Sequence, residues 1–156
     1  MVRYYCLNTE DGAITVRRAR RDDIKDIVRI GKATFPHSAI SRHKISDRMS
    51  RSHFFFVAEL KGKVVGFVDI RLWKTSALIS GIATDSKTRG KGIGTALIRR
   101  SIDFARKKGK FEIELKVIVQ NIRAVSFYKK EGFTVFSMRS RKDDLVIYRM
   151  FRKVET

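Results

Sequence analysis

The segment RGKGIG, residues 89–94, decides the fold that this chain can adopt. It holds three of the ten glycines and lies between an apolar run, residues 76–84 (SALISGIAT), and a segment with helical periodicity, residues 93–108. Unpaired N–H groups at a helix N-terminus attract anions, and glycines let anion oxygens approach the backbone without meeting a Cβ atom. Arg89 and Lys91 add positive charge at the same place. The segment predicts a strand, an anion-binding loop and a helix, in that order.

Two other phosphate-binding loops fit this segment less well. A P-loop requires Gly-x4-Gly-Lys-Ser/Thr, which no register supplies here. A dinucleotide-binding loop that starts at Gly90 requires a glycine where Thr95 stands, although Glu112 and Glu114 lie about twenty residues downstream, where a ribose-binding acid is found. A glycine-rich turn without a ligand is the third alternative.

Turn residues and hydrophobic periodicity predict the remaining elements. Asp22 and Asp23 lie where an N-cap and a first helical turn favour acids. Lys61-Gly62 predicts the tight turn of a hairpin. Strands are predicted at 14–20, 54–60, 63–73, 76–84, 111–119, 133–139 and 145–151, and helices at about 22–35, 44–49, 93–108 and 121–131. The order β-α-α-β-β-β-α-β-α-β-β indicates a mixed α/β sheet.

Length and composition favour a globular protein with one core. The chain has 156 residues, of which 43% are hydrophobic and 33% charged, and this excludes a disordered or collagen-like chain. Without repeats or a Pro/Gly/Ser-rich linker, we expect one domain over residues 1–156, with its core at about 14–151. No apolar run approaches the roughly 20 residues of a membrane helix, and residues 1–8 lack the apolar core of a signal peptide. Cys6 is the single cysteine, so we expect no internal disulfide and a reducing, cytoplasmic compartment.

Charge is the extreme feature of the composition. The 35 Lys and Arg residues against 16 Asp and Glu residues give a formal net charge of +19. Such a field attracts polyanions, whether nucleic acid, the ribosome, an acidic peptide or a phosphorylated cofactor. The charge alone does not distinguish among these partners.

Two motifs resemble those of a known family. Arg89, Gly92 and Gly94 match the pattern Arg/Gln-x-x-Gly-x-Gly/Ala, which is similar to the pyrophosphate-binding motif of the GNAT superfamily of acetyl-CoA-dependent N-acetyltransferases. The run Asn-x-x-Ala-x-x-Phe-Tyr-x-x-x-Gly-Phe at 121–133 resembles the second signature of that family. The resemblance implies a GNAT-like mixed sheet with helices on both faces.

The resemblance also implies which residues bind acetyl-CoA. The pantetheine arm is expected to lie along the strand that precedes the loop. The backbone N–H of Ile82 in that strand is expected to hold the thioester oxygen. Tyr128 matches the tyrosine that protonates the departing thiolate. The cofactor-binding residues implied are Ile82, Ala83, Thr84, Arg89, Gly90, Lys91, Gly92, Ile93, Gly94, Thr95, Asn121 and Tyr128. The alternatives are a buried strand without a ligand, an ordinary N-cap at Asn121 and a half-buried helix tyrosine at Tyr128.

The sequence departs from the family pattern at the position of the general base. N-terminal acetyltransferases of the ribosomal-protein type carry a Glu five residues before the asparagine, and Lys116 stands there. Glu112 and Glu114 lie on the same strand face, and we predict Glu114 as the base that draws a proton from the substrate ammonium through water. The alternative is a surface Glu paired with a nearby Lys or Arg. Lys116 can instead attract an acidic substrate.

The acceptor is predicted from a second resemblance and from charge. Phe35, Pro36 and His37 resemble the loop that shapes the acceptor site of peptide-acetylating relatives. His37, His43 and His53 fit no metal-ligand spacing, so we expect solvated loop histidines and no metal.

We therefore predict direct acetyl transfer from acetyl-CoA to a primary amine of a protein or peptide, by a monomer or homodimer without a membrane contact. An acidic or nucleic-acid-associated partner is possible on grounds of charge. The alternatives are an acetyltransferase for a small amine, such as a polyamine or amino acid, and a non-catalytic basic module that binds nucleic acid or the ribosome.

Overall fold

The computed structural model describes residues 5–155, which form one eight-stranded sheet with helices on both faces. The strands are β1 (Tyr5–Thr9), β2 (Gly12–Arg18), β3 (His53–Leu60), β4 (Lys63–Leu72), β5 (Ser76–Thr84), β6 (Glu112–Ile118), β7 (Thr134–Ser140) and β8 (Val146–Lys153). The helices are α1 (Ile24–Thr34), α2 (Arg42–Arg51), α3 (Ile93–Lys107) and α4 (Ile122–Lys130). The predicted ends of the domain, residues 1 and 156, and the first half of the 1–8 stretch lie outside the described residues.

The sheet has the order β1-β2-β3-β4-β5-β6-β8-β7. Its strands pair antiparallel with one exception in the described part of the chain, the parallel pair β5–β6. Parallel neighbours need a crossover connection, and α3 makes it. The β3–β4 hairpin turns at Lys61 and Gly62, whose φ angles are 52° and 76°, as the sequence predicts.

Two apolar clusters hold the helices to opposite faces of the sheet. Ala96, Leu97 and Phe104 of α3 belong to the larger cluster, together with Val125 of α4 and inward side chains of β2 to β6 and of β8. Ile27 and Ile30 of α1, together with Ile45 of α2, pack on the other face against Phe55 and Phe67. The predicted mixed α/β sheet with helices on both faces is confirmed.

A glycine brings the start of α3 close to the sheet. A Cβ atom at Gly66 of β4 would lie 3.0 Å from the carbonyl oxygen of Ala83 and 3.0 Å from Cγ2 of Ile93. The first turn of α3 therefore rests directly on β4 and β5. This contact fixes the position of the RGKGIG loop relative to β5.

The structure adds one strand and changes the role of one residue. β1 precedes the first predicted strand and pairs along β2; its sequence, YCLNT, has no apolar alternation. Asp23 is not a side-chain cap of α1. Its carboxylate accepts the Arg20 N–H at 2.7 Å, which caps the short 3-10 turn that leads into α1. It also accepts hydrogen bonds from Arg17 Nη1 at 2.7 Å and Nη2 at 2.9 Å, so the buried guanidinium is paired with an anion.

Candidate active site

A gap opens between β5 and β6. The two strands pair only over residues 76–79 and 112–115, so the rest of β5 and the end of β6 face each other without a ladder. On its other side, β5 stays paired with β4 as far as Thr84. Backbone groups of residues 80–84 that point toward β6 are therefore open to a ligand that pairs like a strand.

A bulge in β5 lies at the start of this gap. Asp69 of β4 is opposite Gly81, whereas the next residue, Ile70, is opposite Ile79, so Ser80 is the extra residue. Bulges increase local twist and end regular pairing. A Cβ atom at Gly81 would meet nothing within 4 Å, so space remains beside the strand where the gap begins.

The RGKGIG loop presents an open helix N-terminus. Gly90 and Gly92 have φ angles of 79° and 83°, a left-handed conformation that favours glycine. Gly92 is the N-cap of α3, and no side chain accepts a hydrogen bond there. A Cβ atom at Gly90 would meet nothing within 4 Å. Free N–H groups with open space in front of them fit a diphosphate.

Other residues of the loop have partners within the protein. A Cβ atom at Gly94 would lie 2.9 Å from Cζ of Phe127, so this glycine is needed for the contact of α3 with α4. Thr95 donates its hydroxyl to Glu131 Oε1 at 2.6 Å. Lys91 Nζ lies 3.4 Å from Asp11 Oδ2 in an exposed pair. Such surface pairs are weak, and Lys91 remains free to turn toward an anion.

Asn121 and Tyr128 lie on α4. Asn121 is the N-cap and accepts a hydrogen bond from the Ala124 N–H at 3.2 Å, so the capping role is present. Tyr128 is 9% exposed, with its ring centroid 5.4 Å from that of Phe127 and 6.0 Å from that of Phe133. Burial raises the pKa of Tyr128 to about 12, which keeps its phenol protonated at neutral pH.

Glu114 lies on the opposite face of the sheet from Tyr128. Its neighbours Ile113 and Leu115 point into the α3 side of the core, so Glu114 points to the α1 side, where α1 and α2 pack farther along the sheet. Its Oε2 atom is buried without a hydrogen-bond partner, although Arg149 Nη2 is 3.6 Å away. That distance is an ion pair without a hydrogen bond. The gap between β5 and β6 connects this face with the face of Tyr128.

The predicted acceptor residues lie in the turn that follows α1. The N–H of Phe35 donates to the carbonyl of Gly31 at 2.8 Å, and its side chain packs against the cluster that contains Ala83 of β5. Pro36 and His37 are exposed. The structure thus connects Phe35 with the end of β5, and no contact joins it to Glu114 or Tyr128 within residues 5–155.

The sequence analysis did not predict the group of charged and polar side chains around the buried Asp69, beside the bulge. Asp69 is 2% exposed, and its Oδ1 lies 2.7 Å from His53 Nδ1 while Oδ2 lies 3.5 Å from Arg48 Nη1. Burial raises the pKa of Asp69, against the opposing effects of His53 and Arg48. The sequence predicts that His53 is a solvated loop histidine. This prediction is wrong, because His53 Nδ1 contacts the buried Asp69. The signal was the single acid within the apolar run 63–73 (KVVGFVDIRLW).

Comparison with known proteins gives relatives that span most of the chain. An uncharacterised N-acetyltransferase of Methanocaldococcus jannaschii is 36% identical over 76% of this chain, which spans 60% of that protein's length. An N-alpha-acetyltransferase of Sulfurisphaera tokodaii is 31% identical over 76% of this chain and 78% of its own length. The crystal structure of Ard1 from Thermoplasma volcanium matches with a TM-score of 0.82 and 29% identity, over 92% of this chain and 99% of that one. An acetyltransferase of Salmonella typhimurium solved with its cofactor acetyl-CoA shares the fold, with a TM-score of 0.78 and 21% identity over 91% and 94% of the two chains.

An opened sheet beside an uncapped glycine loop is the arrangement that the resemblance to acetyl-CoA-dependent acyltransferases implies. The sequence profile of the acetyltransferase (GNAT) family matches residues 23–133. The chain belongs to the GNAT acetyltransferase family. The predictions of the family, of an acyltransferase enzyme and of acetyl-CoA as co-substrate are confirmed.

No helix among residues 5–155 is long and apolar enough to cross a membrane. No three His, Cys, Asp or Glu side chains of that same part lie together in a way that can hold a metal ion.

Proposed function

We propose that this protein transfers the acetyl group of acetyl-CoA to a primary amine of a protein or peptide, either an N-terminal α-amine or a lysine. The observation that carries the proposal is the gap between β5 and β6, which joins the uncapped start of α3 to the face that carries Glu114. Two reactants that enter from opposite faces can meet there. Holding them in that geometry is a major part of catalysis.

The backbone provides the contacts for the co-substrate. N–H groups from Gly90 to Thr95 bind the diphosphate, and Arg89 and Lys91 neutralise it. Backbone groups of Ile82, Ala83 and Thr84 pair with the pantetheine arm, and Asn121 contacts it from α4. Acetyl-CoA, when bound, supplies an activated thioester carbonyl, and the N–H of Ile82 stabilises the negative charge on its oxygen.

Two side chains move protons. Glu114 accepts a proton from the substrate ammonium through water, which frees the nitrogen lone pair to form the new N–C bond. The C–S bond breaks, and the Tyr128 hydroxyl donates its proton to the departing sulfur. The nitrogen loses its second proton as the amide forms, and this proton restores the Tyr128 phenol through water. Burial raises the pKa of Tyr128 to about 12, so its proton is present at neutral pH. General acid and base groups of this kind contribute about 10²-fold or more each.

The charges around Glu114 favour an acidic polypeptide as the acceptor. Lys116 is on the same face of β6, and its cross-strand partner is Arg149. Lys153 is opposite Glu112. Glu114 provides the carboxylate for the amine, and the cations around it suit a peptide that has acidic residues after its reactive amine. The similarity to a protein named N-alpha-acetyltransferase supports the α-amine, in a turn bordered by Phe35, Pro36 and His37. The cytoplasmic location and a monomeric or homodimeric state stay predictions from the sequence.

An acceptor panel tests this function. The protein and acetyl-CoA are incubated separately with an acidic peptide that has a free α-amine, with the same peptide blocked at its N-terminus and carrying one lysine, and with spermidine. Products are measured by mass spectrometry. We expect acetylation of a peptide and little of spermidine. Preferential acetylation of spermidine would contradict the peptide assignment, and no acetylation of any acceptor would contradict the enzyme assignment.

A pair of matched variants tests the base. We expect Glu114→Gln to lower kcat about 10²-fold and Glu112→Gln, on the same face of the same strand, to change it less than about twofold. If the two variants behave alike, Glu114 is not the base.

A further inference from the structure

Three cations surround a group of phenylalanine rings on the side of α3 that faces β2 and β3. Arg18 Cζ lies 4.6 Å from the ring centroid of Phe54, and Arg100 Cζ lies 4.4 Å from that of Phe56. Lys108 Nζ lies 5.7 Å from the ring centroid of Phe104. We call Arg18, Arg100 and Lys108 the Arg18 cluster. Arg18 and Lys108 are exposed and Arg100 is partly buried.

The Arg18 cluster lacks an anionic partner. Within residues 5–155, no carboxylate lies within 4.0 Å of Arg18, Arg100 or Lys108, whereas Arg17 and Arg106 each pair with an aspartate. Arg100 also has two buried guanidinium atoms, Nε and Nη1, without a hydrogen-bond partner. Buried donors that stay unpaired are costly, so the arrangement favours a ligand that accepts hydrogen bonds.

The pKa shifts of Arg18 and Arg100 agree with the interpretation that the cluster accommodates an anion. Burial lowers the pKa of Arg18 and of Arg100, and for Arg100 the repulsion from Arg18 adds to the effect while Asp103 opposes it. Asp103 itself is paired with Arg106 at 2.6 Å. A bound anion removes both the repulsion and the unmet hydrogen bonds.

The cluster is separate from the diphosphate loop. Arg100 is seven residues beyond Ile93, the first residue of α3, which places it about 10 Å along the helix. The loop side of α3 contacts α4 through Gly94 and Phe127, whereas Arg100 contacts Phe56 of β3. A ligand at the Arg18 cluster therefore does not occupy the cleft proposed for acetyl-CoA.

We propose that the Arg18 cluster is a second anion site that binds a phosphate group. A guanidinium presents its donors in a planar fork that matches phosphate oxygens, and a phenylalanine ring below the plane holds the fork in place. Lys108 adds a third charge. The phosphate group comes either from free inorganic phosphate or from the phosphodiester backbone of a nucleic acid.

Arginine side-chain NMR tests the site on the full chain. The ¹H–¹⁵N resonances of Arg18 and Arg100 Nε are followed while inorganic phosphate, or a twelve-nucleotide uridine oligomer, is added. Shifts with both probes identify a site for free phosphate, and shifts with the oligomer alone identify a phosphodiester site. No shift at either residue with either probe would overturn the proposal.

Matched double variants give a second readout that does not use acetyl transfer. We expect Arg18→Gln/Arg100→Gln to weaken binding of the probe that shifts the wild-type resonances at least tenfold. For the oligomer, the slope of log K against log salt should also fall by about 1.4, because each cation lost removes about 0.7 for a single strand. The control Lys25→Gln/Lys32→Gln removes the same charge from exposed positions of α1 and should leave affinity within about twofold. Equal losses in both variants would show a diffuse field without a site, and thermal melting verifies that each variant folds.

Discussion

At the scale of single residues, Tyr128 is a buried phenol that keeps its proton at neutral pH. It is buried against Phe127 and Phe133, and none of the described groups hydrogen-bonds its hydroxyl. Burial raises its pKa to about 12, against about 10 for an exposed tyrosine. Below pH 10 the phenol is neutral in both folded and unfolded chains and has no effect on the pH dependence of stability. Between about pH 10 and 12 only the unfolded chain ionises, so stability falls as pH rises through this range.

Tyr128→Phe separates the acid from the packing role. We expect kcat to fall about 10²-fold, because no proton reaches the departing sulfur from this position. Thermal stabilisation by CoA should be unchanged, since the ring and its contacts remain. Tyr148→Phe, at a half-buried tyrosine of β8, is the control and should keep full activity. Steady-state kinetics decide the case: equal kcat values for the Tyr128 variant and the wild type would remove its acid role.

Two acids show where residue-level prediction stops. The position of Asp23 before a helix predicts a cap, but its carboxylate pairs with Arg17 of β2. Burial tends to raise the pKa of Asp23, and the hydrogen bonds from Arg17 and from the Arg20 N–H outweigh it, so the pKa is lowered. Asp69 meets His53 across a strand pair. The contact of Asp69 with His53 depends on the pairing of β3 with β4, about which a local pattern holds no information. Arg17 is only six residues before Asp23, and their contact depends on how the chain turns from β2 into α1.

At the scale of elements, the strand β5, the loop and α3 form the unit on which the site depends. The predicted bounds of β5 match the structure, and those of α3 differ by one residue. Such agreement follows because glycine turns and apolar periodicity are local signals. β1 lacks these signals. It pairs through backbone groups along β2 at the sheet edge, which any short sequence can do.

Gly92→Glu tests the loop as a phosphate cradle. We expect it to abolish thermal stabilisation by CoA, which is about 2.7 kcal/mol at a ligand concentration of 100 Kd. The new carboxylate faces the bound diphosphate, and its Cβ atom would lie 3.3 Å from Leu7 Cδ2.

Gly109→Glu is the matched control, because Gly109 also has a positive φ of 69° and lies just beyond the other end of α3, with nothing within 4 Å of an added Cβ atom. Differential scanning fluorimetry should show the CoA shift retained in the control. A normal shift in the Gly92 variant would exclude the loop from the site.

At the scale of the whole molecule, the gap between β5 and β6 can be approached separately from each of the two faces of the sheet. α3 and α4 cover one face, and α1 and α2 cover part of the other. The chain carries a formal net charge of +19. An overall field of this size raises the rate at which acidic partners arrive, and salt screens it.

Ionic strength therefore tests the acidic acceptor. Between about 50 and 300 mM NaCl, we expect kcat/KM for an acidic peptide to fall about tenfold, because long-range steering is screened. The same peptide with glutamines in place of glutamates should change less than about twofold. A parallel loss for both peptides, measured by acetylation rates, would show that salt acts on the enzyme and not on the encounter.

The amino-acid sequence by itself determined the helices, all strands but β1, the glycine loop and the family motifs, because these depend on neighbours within a few residues. Only the tertiary structure decided that β5 and β6 separate after four residue pairs and that Glu114 and Tyr128 lie on opposite faces. It also decided that Nε and Nη1 of Arg100 are buried without a hydrogen-bond partner in the described part of the chain. These features arise from contacts between residues far apart in the chain. Strand register and side-chain burial determine these contacts, and both register and burial exist only after the sheet has formed.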